Sequence, residues 1–511
     1  MSCRACLVVL ALAGAATAAA ENLFTNAYFV NPTYQAELDT SIAGETDKTI
    51  RRTLAQMRGV GSAYWIDKKE KIRGKNDTRT LEGILYAASR QSPAPLVVAI
   101  VYDLPNRDCN AHASNGEICC RYNDDGTCDY TGDECAAGLA EYESGYVDVF
   151  AEVLAEYADS VPVALVIEPD SVGNLVTNAD DPKCGSGATQ AAIEAGVPYA
   201  IQTLKAACAD CAIYLDAAHG GWLGWENNLD DFVARVAGFG VLDALRGFAT
   251  NVANYQPLGE LCPEGLDCID GDDAARQHAC CADPCDSLGQ WNRANNELNY
   301  ARMLVDAVAA ATGADARVII DTGRNGVADE RADCSNWCNI RGAGVGQLPT
   351  HATANASFID AYFWLKTPGE SDGCTQTLPD PSDAWKANGT CPRFDTGCAS
   401  PDSLGALDGE PFAPEAGAWF DYQIKQLAQY AVFASGAGDA DDGGAAPVSE
   451  PTALPTAEPT RDGGECADDY QRCGGVDWDG TVYGPFSCCS GAECVHNSDA
   501  YWQCTPPKAT A

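Results

Sequence analysis

Three carboxylate-bearing segments stand out by residue type and spacing. Val101-Tyr102-Asp103-Leu104-Pro105-Asn106-Arg107-Asp108-Cys109 and Ala164-Leu165-Val166-Ile167-Glu168-Pro169-Asp170 are apolar runs that stop abruptly at acids. A third, Lys366-Thr367-Pro368-Gly369-Glu370-Ser371-Asp372-Gly373, follows another apolar run. Asp-bearing ends of this kind suit an acid and a partner carboxylate around one cleft, the requirement of general acid–base chemistry. Taken singly, an Asp at such a place is more often a helix cap or turn former. The Pro-Gly segment, likewise, reads alone as a turn with solvated charges.

The elements that must hold these acids are short apolar runs bounded by turn residues, the pattern of strands buried on both faces. Residues 96–104, 162–168, 212–216, 247–252, 318–321 and 361–366 read as strands. Between them, Leu139, Tyr142, Tyr146, Val149, Val153 and Tyr157 fall at helical spacing, as do Leu298, Arg302, Val305 and Val308 before Gly313. Alternating strands and helices imply a parallel sheet. No Gly-rich phosphate loop follows the first strand, which favours a barrel. The acids then lie where a parallel β/α barrel opens to solvent and does its chemistry.

Composition narrows the setting. The chain has 511 residues, 46% of them hydrophobic, and a net charge of −41. That charge argues against nucleic acid or an anionic membrane as partner, because both would repel it. It suits a soluble monomer acting on an uncharged polymer, or serves solubility alone. Residues 1–20 read as a secretory leader, with Arg4, an apolar stretch and then small residues. Of 26 cysteines, two fall in the leader and 24 remain for an oxidising, extracellular compartment. Cys208-Ala-Asp-Cys211 reads as a surface staple ahead of a metal or redox site. The segments 119–135 and 262–285 read as stapled insertions whose pairing spacing cannot supply. The five histidines show no HxH or HExxH spacing, so neither metal nor cofactor is expected. Asn76, Asn355 and Asn388 sit in glycosylation sequons. Residues 21–435 are assigned to the barrel, 436–464 to a Pro/Thr/Asp-rich linker and 465–507 to a small module.

Together the extended motifs resemble family 6 of the glycoside hydrolases, the inverting, cellobiohydrolase II-like cellulases. The resemblance implies a distorted barrel of seven strands, with cellulose and cello-oligosaccharides as partners. Inverting hydrolysis requires a protonated carboxyl at the leaving oxygen and a base for water on the opposite face. By resemblance, Asp170 is the acid, Asp108 the neighbour that raises its pKa, and Asp372 the candidate base acting through a water chain. Lys366 and Glu370 would hydrogen-bond sugar hydroxyls. His219, Trp222 and Trp225 would line the glucan sites, with Asp216 near the centre and Asn254 contributing. Trp65 and Trp337 match two further platforms, and Tyr102 and Ser114 crowd the distorted sugar. Flat rings beside polar loop residues suit sugars. The resemblance also pairs Cys109 with Cys184 and Cys338 with Cys398.

The C-terminal module resembles the fungal-type family 1 cellulose-binding module. That implies Cys473–Cys494 and Cys488–Cys504, leaving Cys466–Cys489, since so small a domain needs disulfides. Tyr470 and Tyr501 match two of the three aligned aromatics; Ala500 holds the third place, with Trp478 or Trp502 as substitutes. Two long regions, 114–138 and 372–416, are expected to roof the cleft into a tunnel and favour release of cellobiose from non-reducing ends. An endoglucanase with an open cleft is the alternative, followed by a non-catalytic cellulose-binding adhesion protein.

Overall fold

The computed structural model describes residues 21–124, 126–375, 391 and 393–434, and the backbone of 472–476, 482–483, 493–498 and 501–505. The expected leader, the linker, Tyr470, Trp478, Cys466, Cys488, Cys489 and Asn388 lie outside these residues. Seven parallel strands follow one another in chain order: β1 (Tyr64–Ile66), β2 (Val97–Val101), β3 (Val163–Ile167), β4 (Ala212–Asp216), β5 (Gly247–Thr250), β6 (Arg317–Asp321) and β7 (Ile359–Phe363). The sheet curls into an incomplete barrel. No ladder joins β7 to β1 among the described residues. The seam is crossed by the Ala63 N–H on the Trp364 carbonyl at 2.9 Å and by the Thr367 hydroxyl near Ser62 and Ala63.

Val, Ile, Leu and Ala fill the strands, and β2–β5 and β7 are buried throughout, as strands covered on both faces must be. Inside the curl, Val98, Ile100, Val166, Tyr214, Ala249, Ile319 and Phe363 pack together. Phe24 from a short turn of helix, Leu23–Thr25, closes this core edge-on to Tyr214 and Phe363. Outside it, helices such as Gly187–Ala207 and Glu297–Thr312 bury their apolar faces on the sheet. The helical stretch expected over 139–157 is two α-helical pieces joined by a π-turn at Glu143–Val147.

The strand ends depart from the sequence reading for a definite reason. The run at 96–104 leaves the ladder after Val101, because the Asp103 and Leu104 N–H groups donate to the Glu168 carboxylate at 3.1 and 3.2 Å. The run at 361–366 leaves after Phe363, because the Leu365 and Lys366 N–H groups donate to Asp321 at 3.1 and 2.8 Å. β1, only three residues long, was not among the expected strands; nothing so short shows a period.

Disulfides join Cys109 to Cys184 and Cys338 to Cys398. The first insertion closes on itself through Cys119–Cys128 and Cys120–Cys135. In the second, Cys262–Cys280 and Cys268–Cys281 are internal, whereas Cys285 reaches out to Cys334. Cys374 pairs with Cys391. Cys208 and Cys211 are bridged but buried, so they pin a helix end rather than staple the surface. In the C-terminal module β8 (Arg472–Val476), β9 (Val482–Tyr483), β10 (Glu493–Ser498) and β11 (Tyr501–Thr505) form an antiparallel sheet ordered β10-β11-β8-β9. Cys494 stands opposite Cys504, and Trp502 opposite His496.

Candidate active site

A cavity of about 720 Å³ opens at the carboxyl ends of the strands. Asp108, Asp170 and Asp372 line it, together with Trp65, Tyr102, Ser114, His219, Trp222, Trp225, Asn254, Trp337, Lys366 and Glu370. Asp216, expected near the centre of the glucan sites, is not among the lining residues.

The loops that deliver these residues leave the sheet through unusual backbone. Asn106, Asp108, Glu168, Asp170, Ala218, Asn251 and Ala253 all have positive φ, between 44° and 66°. Left-handed non-glycine residues store strain and persist only where their surroundings over-determine them. Here the surroundings are buried carboxylates at strand ends. Glu168 takes the peptide N–H groups after β2, and Tyr142 donates its hydroxyl to the same carboxylate at 2.7 Å. Asp216 accepts the N–H groups of Asp170 at 2.9 Å and Ala218 at 3.0 Å. Asp321 accepts from Ala253 and Gly323 as well as from the chain after β7. Each acid thus pegs the loop beside it. Asp216 therefore positions the backbone of Asp170 from behind the cavity lining.

Asp170 is held well above the usual carboxylate range, first by burial and then by the negative charges of Asp108 and Asp216. Burial also pushes Asp216 up to about 7, against the two N–H groups that favour its anion. Burial raises Asp108 too, opposed by the Ser114 hydroxyl that donates to its Oδ2 and by the charge of Arg107. The Tyr102 hydroxyl reaches the same oxygen at 3.5 Å, and Arg107 stacks 4.1 Å over the Tyr102 ring. An upward shift from burial and two acidic neighbours favours the protonated form of Asp170, which is what a general acid needs.

Asp372 is held differently. The fully buried Arg324 donates to both its oxygens at 2.6 and 2.7 Å, Tyr255 donates its hydroxyl at 2.7 Å, and the Asn339 N–H donates at 2.8 Å. Arg324 also lies 4.2 Å over the Tyr255 ring. Sequence reading missed Arg324 and Asn339. Arg324 follows β6 by only three residues, a cation just past a strand whose own last residue, Asp321, was already read as a strand end.

The platforms are anchored by their edges. Trp65 donates its indole N–H to the Leu365 carbonyl at 2.9 Å and meets Tyr102 edge-on at 5.1 Å. Lys366 sits 5.3 Å over Trp65 and 3.3 Å from Glu370. Trp222 donates to the Thr177 hydroxyl, and Trp225 to the Gln290 carbonyl at 2.9 Å. Trp337 packs on the Cys338–Cys398 bridge beside Ala113. Burial and the charge of Arg331 depress His219 to about 3, so its imidazole is neutral above that pH, and its Nδ1 has no partner among the described residues.

The two expected roof segments are only partly as read. The one that reaches the cleft is 110–115. There the His112 N–H donates to Asp395 at 2.6 Å, and Arg393 donates to the Asn115 carbonyl at 3.2 Å. In the cysteine-rich stretch after it, Cys120 and Cys135 pack against Ala188 and Ala192, while the Tyr130 hydroxyl lies 3.5 Å from Asn115. Residues 376–390 of the other segment lie outside the described residues.

A curled seven-stranded parallel sheet with clustered carboxyls in an aromatic-lined cleft defines a glycoside-cleaving acid–base enzyme. The family model for glycosyl hydrolases family 6 matches residues 24–431. Exoglucanase 3 of Agaricus bisporus is 34% identical over 403 residues, spanning 78% of this chain and 76% of that protein. The 1,4-beta-D-glucan cellobiohydrolase CEL6C of Podospora anserina is 32% identical over 426 residues, spanning 81% and 90%. Among solved structures, cellobiohydrolase II (Cel6A) from Humicola insolens in complex with glucose and cellotetraose superposes with a TM-score of 0.61 at 30% identity, covering 80% of this chain and 99% of that one. This chain belongs to glycosyl hydrolases family 6.

Proposed function

We propose that this chain is a secreted, inverting cellulase that hydrolyses β-1,4-glucosidic bonds and releases cellobiose processively from non-reducing chain ends. The observation that carries the reading is the placing of Asp170, a half-buried carboxyl at a tryptophan-lined cavity whose pKa is raised by desolvation and by the charges of Asp108 and Asp216. Asp170 gives its proton to the leaving glycosidic oxygen. Asp108, next to Tyr102 and Ser114, keeps that proton in place and stabilises positive charge at the sugar. Asp372, paired with Arg324, receives the proton of the attacking water through a relay. Lys366, Glu370, His219 and Asn254 bind hydroxyls, and Trp65, Trp222, Trp225 and Trp337 stack on sugar faces. The contacts of 112–115 with 393–395 support exo action, because a roofed cleft is fed from a chain end. The names of the relatives point the same way. The C-terminal module acts as a cellulose-binding domain, with Tyr470, Tyr501 and Trp478 or Trp502 as its contacts.

The test is a product profile on amorphous cellulose, with soluble and insoluble reducing ends counted over time. Mostly soluble cellobiose is expected, and many new insoluble ends would make the enzyme an endoglucanase. Asp170→Asn is expected to lose about 10²–10⁴-fold in kcat. A variant as active as wild type would remove Asp170 from the mechanism, and a wild-type chain that binds cellulose without cleaving it would restore the adhesion reading.

A further inference from the structure

Among the described residues Trp291 is the most exposed large hydrophobic side chain, at 69%. Its φ is +63°, a conformation bulky residues rarely adopt. Isolated apolar side chains on a surface are ordinary, but a tryptophan that is both exposed and conformationally strained is not. Its neighbours tie it to the sugar cleft on both sides. The carbonyl of Gln290 accepts the indole N–H of Trp225, a lining residue of the cavity. The buried Asn292 donates to the Gly220 carbonyl at 2.8 Å, at the start of the short helix Gly220–Leu223 that carries Trp222. The Asn292 N–H and the Trp291 N–H are themselves taken up by the carbonyls of Ser287 and Leu288 at 2.9 and 3.1 Å. Asp283 accepts the Ser287 and Leu288 N–H groups in turn.

This turn closes the cysteine-rich insertion, which is braced by Cys262–Cys280 and Cys268–Cys281. Cys285 fastens it to Cys334, which lines the cavity three residues before Trp337. The insertion is therefore bolted to the cleft wall at Trp225, at Gly220 and at Cys334, and it presents one bare indole beside them. Rigid aromatic surface held at low conformational cost is what a sugar ring stacks on.

We propose that Trp291 is an additional stacking platform for a β-1,4-glucan chain, continuing the aromatic track beyond Trp225 outside the cleft. The proposal rests on the cellulase reading above. Its occupant is the part of a long chain that extends past the cavity, so short oligosaccharides should not sense it.

The experiment compares full-length wild type, Trp291→Ala and Trp291→Phe on cellotetraose and on phosphoric-acid-swollen cellulose. Trp291→Ala should keep kcat/KM on cellotetraose within about twofold and lose about two- to tenfold in initial rate on swollen cellulose. Trp291→Phe should recover most of that loss. Equal activity of Trp291→Ala and wild type on both substrates would overturn the proposal. So would a parallel loss on both, which would mark Trp291 as a structural residue of the insertion. A wild-type chain inactive on both substrates would instead sink the cellulase reading, and the inference with it.

Discussion

The acid proposed for this site is defined less by its own identity than by the charges around it. Asp170 is raised by burial, then by Asp108, then by Asp216. Removing a negative neighbour makes the Asp170 anion less unfavourable, so its pKa falls. Since the acid works while protonated, the alkaline limb of the rate profile must move to lower pH in Asp108→Asn. The measurement is kcat/KM against pH on cellotetraose for the variant and wild type. An unmoved or upward-shifted limb would mean that Asp108 does not hold the proton on Asp170. Asp216→Asn keeps an oxygen for the Asp170 N–H but removes a charge, so it should shift the limb in the same direction.

At the scale of elements, the site is assembled by ties between loops that follow different strands. Arg324 after β6 pairs with Asp372 after β7, and Asn339 and Tyr255 complete the ring of donors. Both charges are almost wholly buried, so removing one strands the other. Arg324→Met is therefore expected to lower stability by about 3–5 kcal/mol. A substitution of both partners by apolar residues should cost less, since breaking a buried pair is worse than replacing it. Thermal melts of the single and double variants check this. A double variant less stable than Arg324→Met would show that the pair is not the unit. The Cys285–Cys334 and Cys338–Cys398 bridges do the same work covalently, fixing the insertion and the Trp337 wall to the cleft.

For the whole molecule, the buried carboxyls predict how stability depends on pH. Glu168 and Glu297 are pushed up to about 7, Glu37 to about 8 and Asp103 to about 9, each chiefly by burial. Between the unfolded value near about 4 and these folded values, the native state binds more protons than the unfolded chain. Stability is then greatest on the acid side and falls as pH rises through that window. The net charge of −41 adds self-repulsion in the same direction. Glu410, lowered to about 2 mainly by its hydrogen bond from Arg341, opposes the trend only at the acid end. Tm should be higher near pH 5 than near pH 8, and a Tm that rises across that range would contradict the assignment of these groups.

What the sequence determined by itself was the class of fold and the acids that meet at the cavity. Buried parallel strands write themselves as uninterrupted apolar runs, and an acid at the end of such a run is visible because it breaks the pattern. Asp108, Asp170 and Asp372 were legible on that basis with the family's motifs, as were the lining tryptophans. The tertiary structure alone decided which acids face the cavity and which serve as pegs. Glu168, Asp216 and Asp321 look like Asp170 along the chain, but their partners are backbone N–H groups in the loops after their own or another strand, from 2 to 68 residues away. It also decided where β2 and β7 stopped, because Glu168 and Asp321 take the N–H groups that a longer ladder would have used. Arg324, Asn339 and the placement of Trp291 belong to this second kind. Their meaning lies in contacts between loops distant in sequence, and no local period or propensity records a contact of that sort.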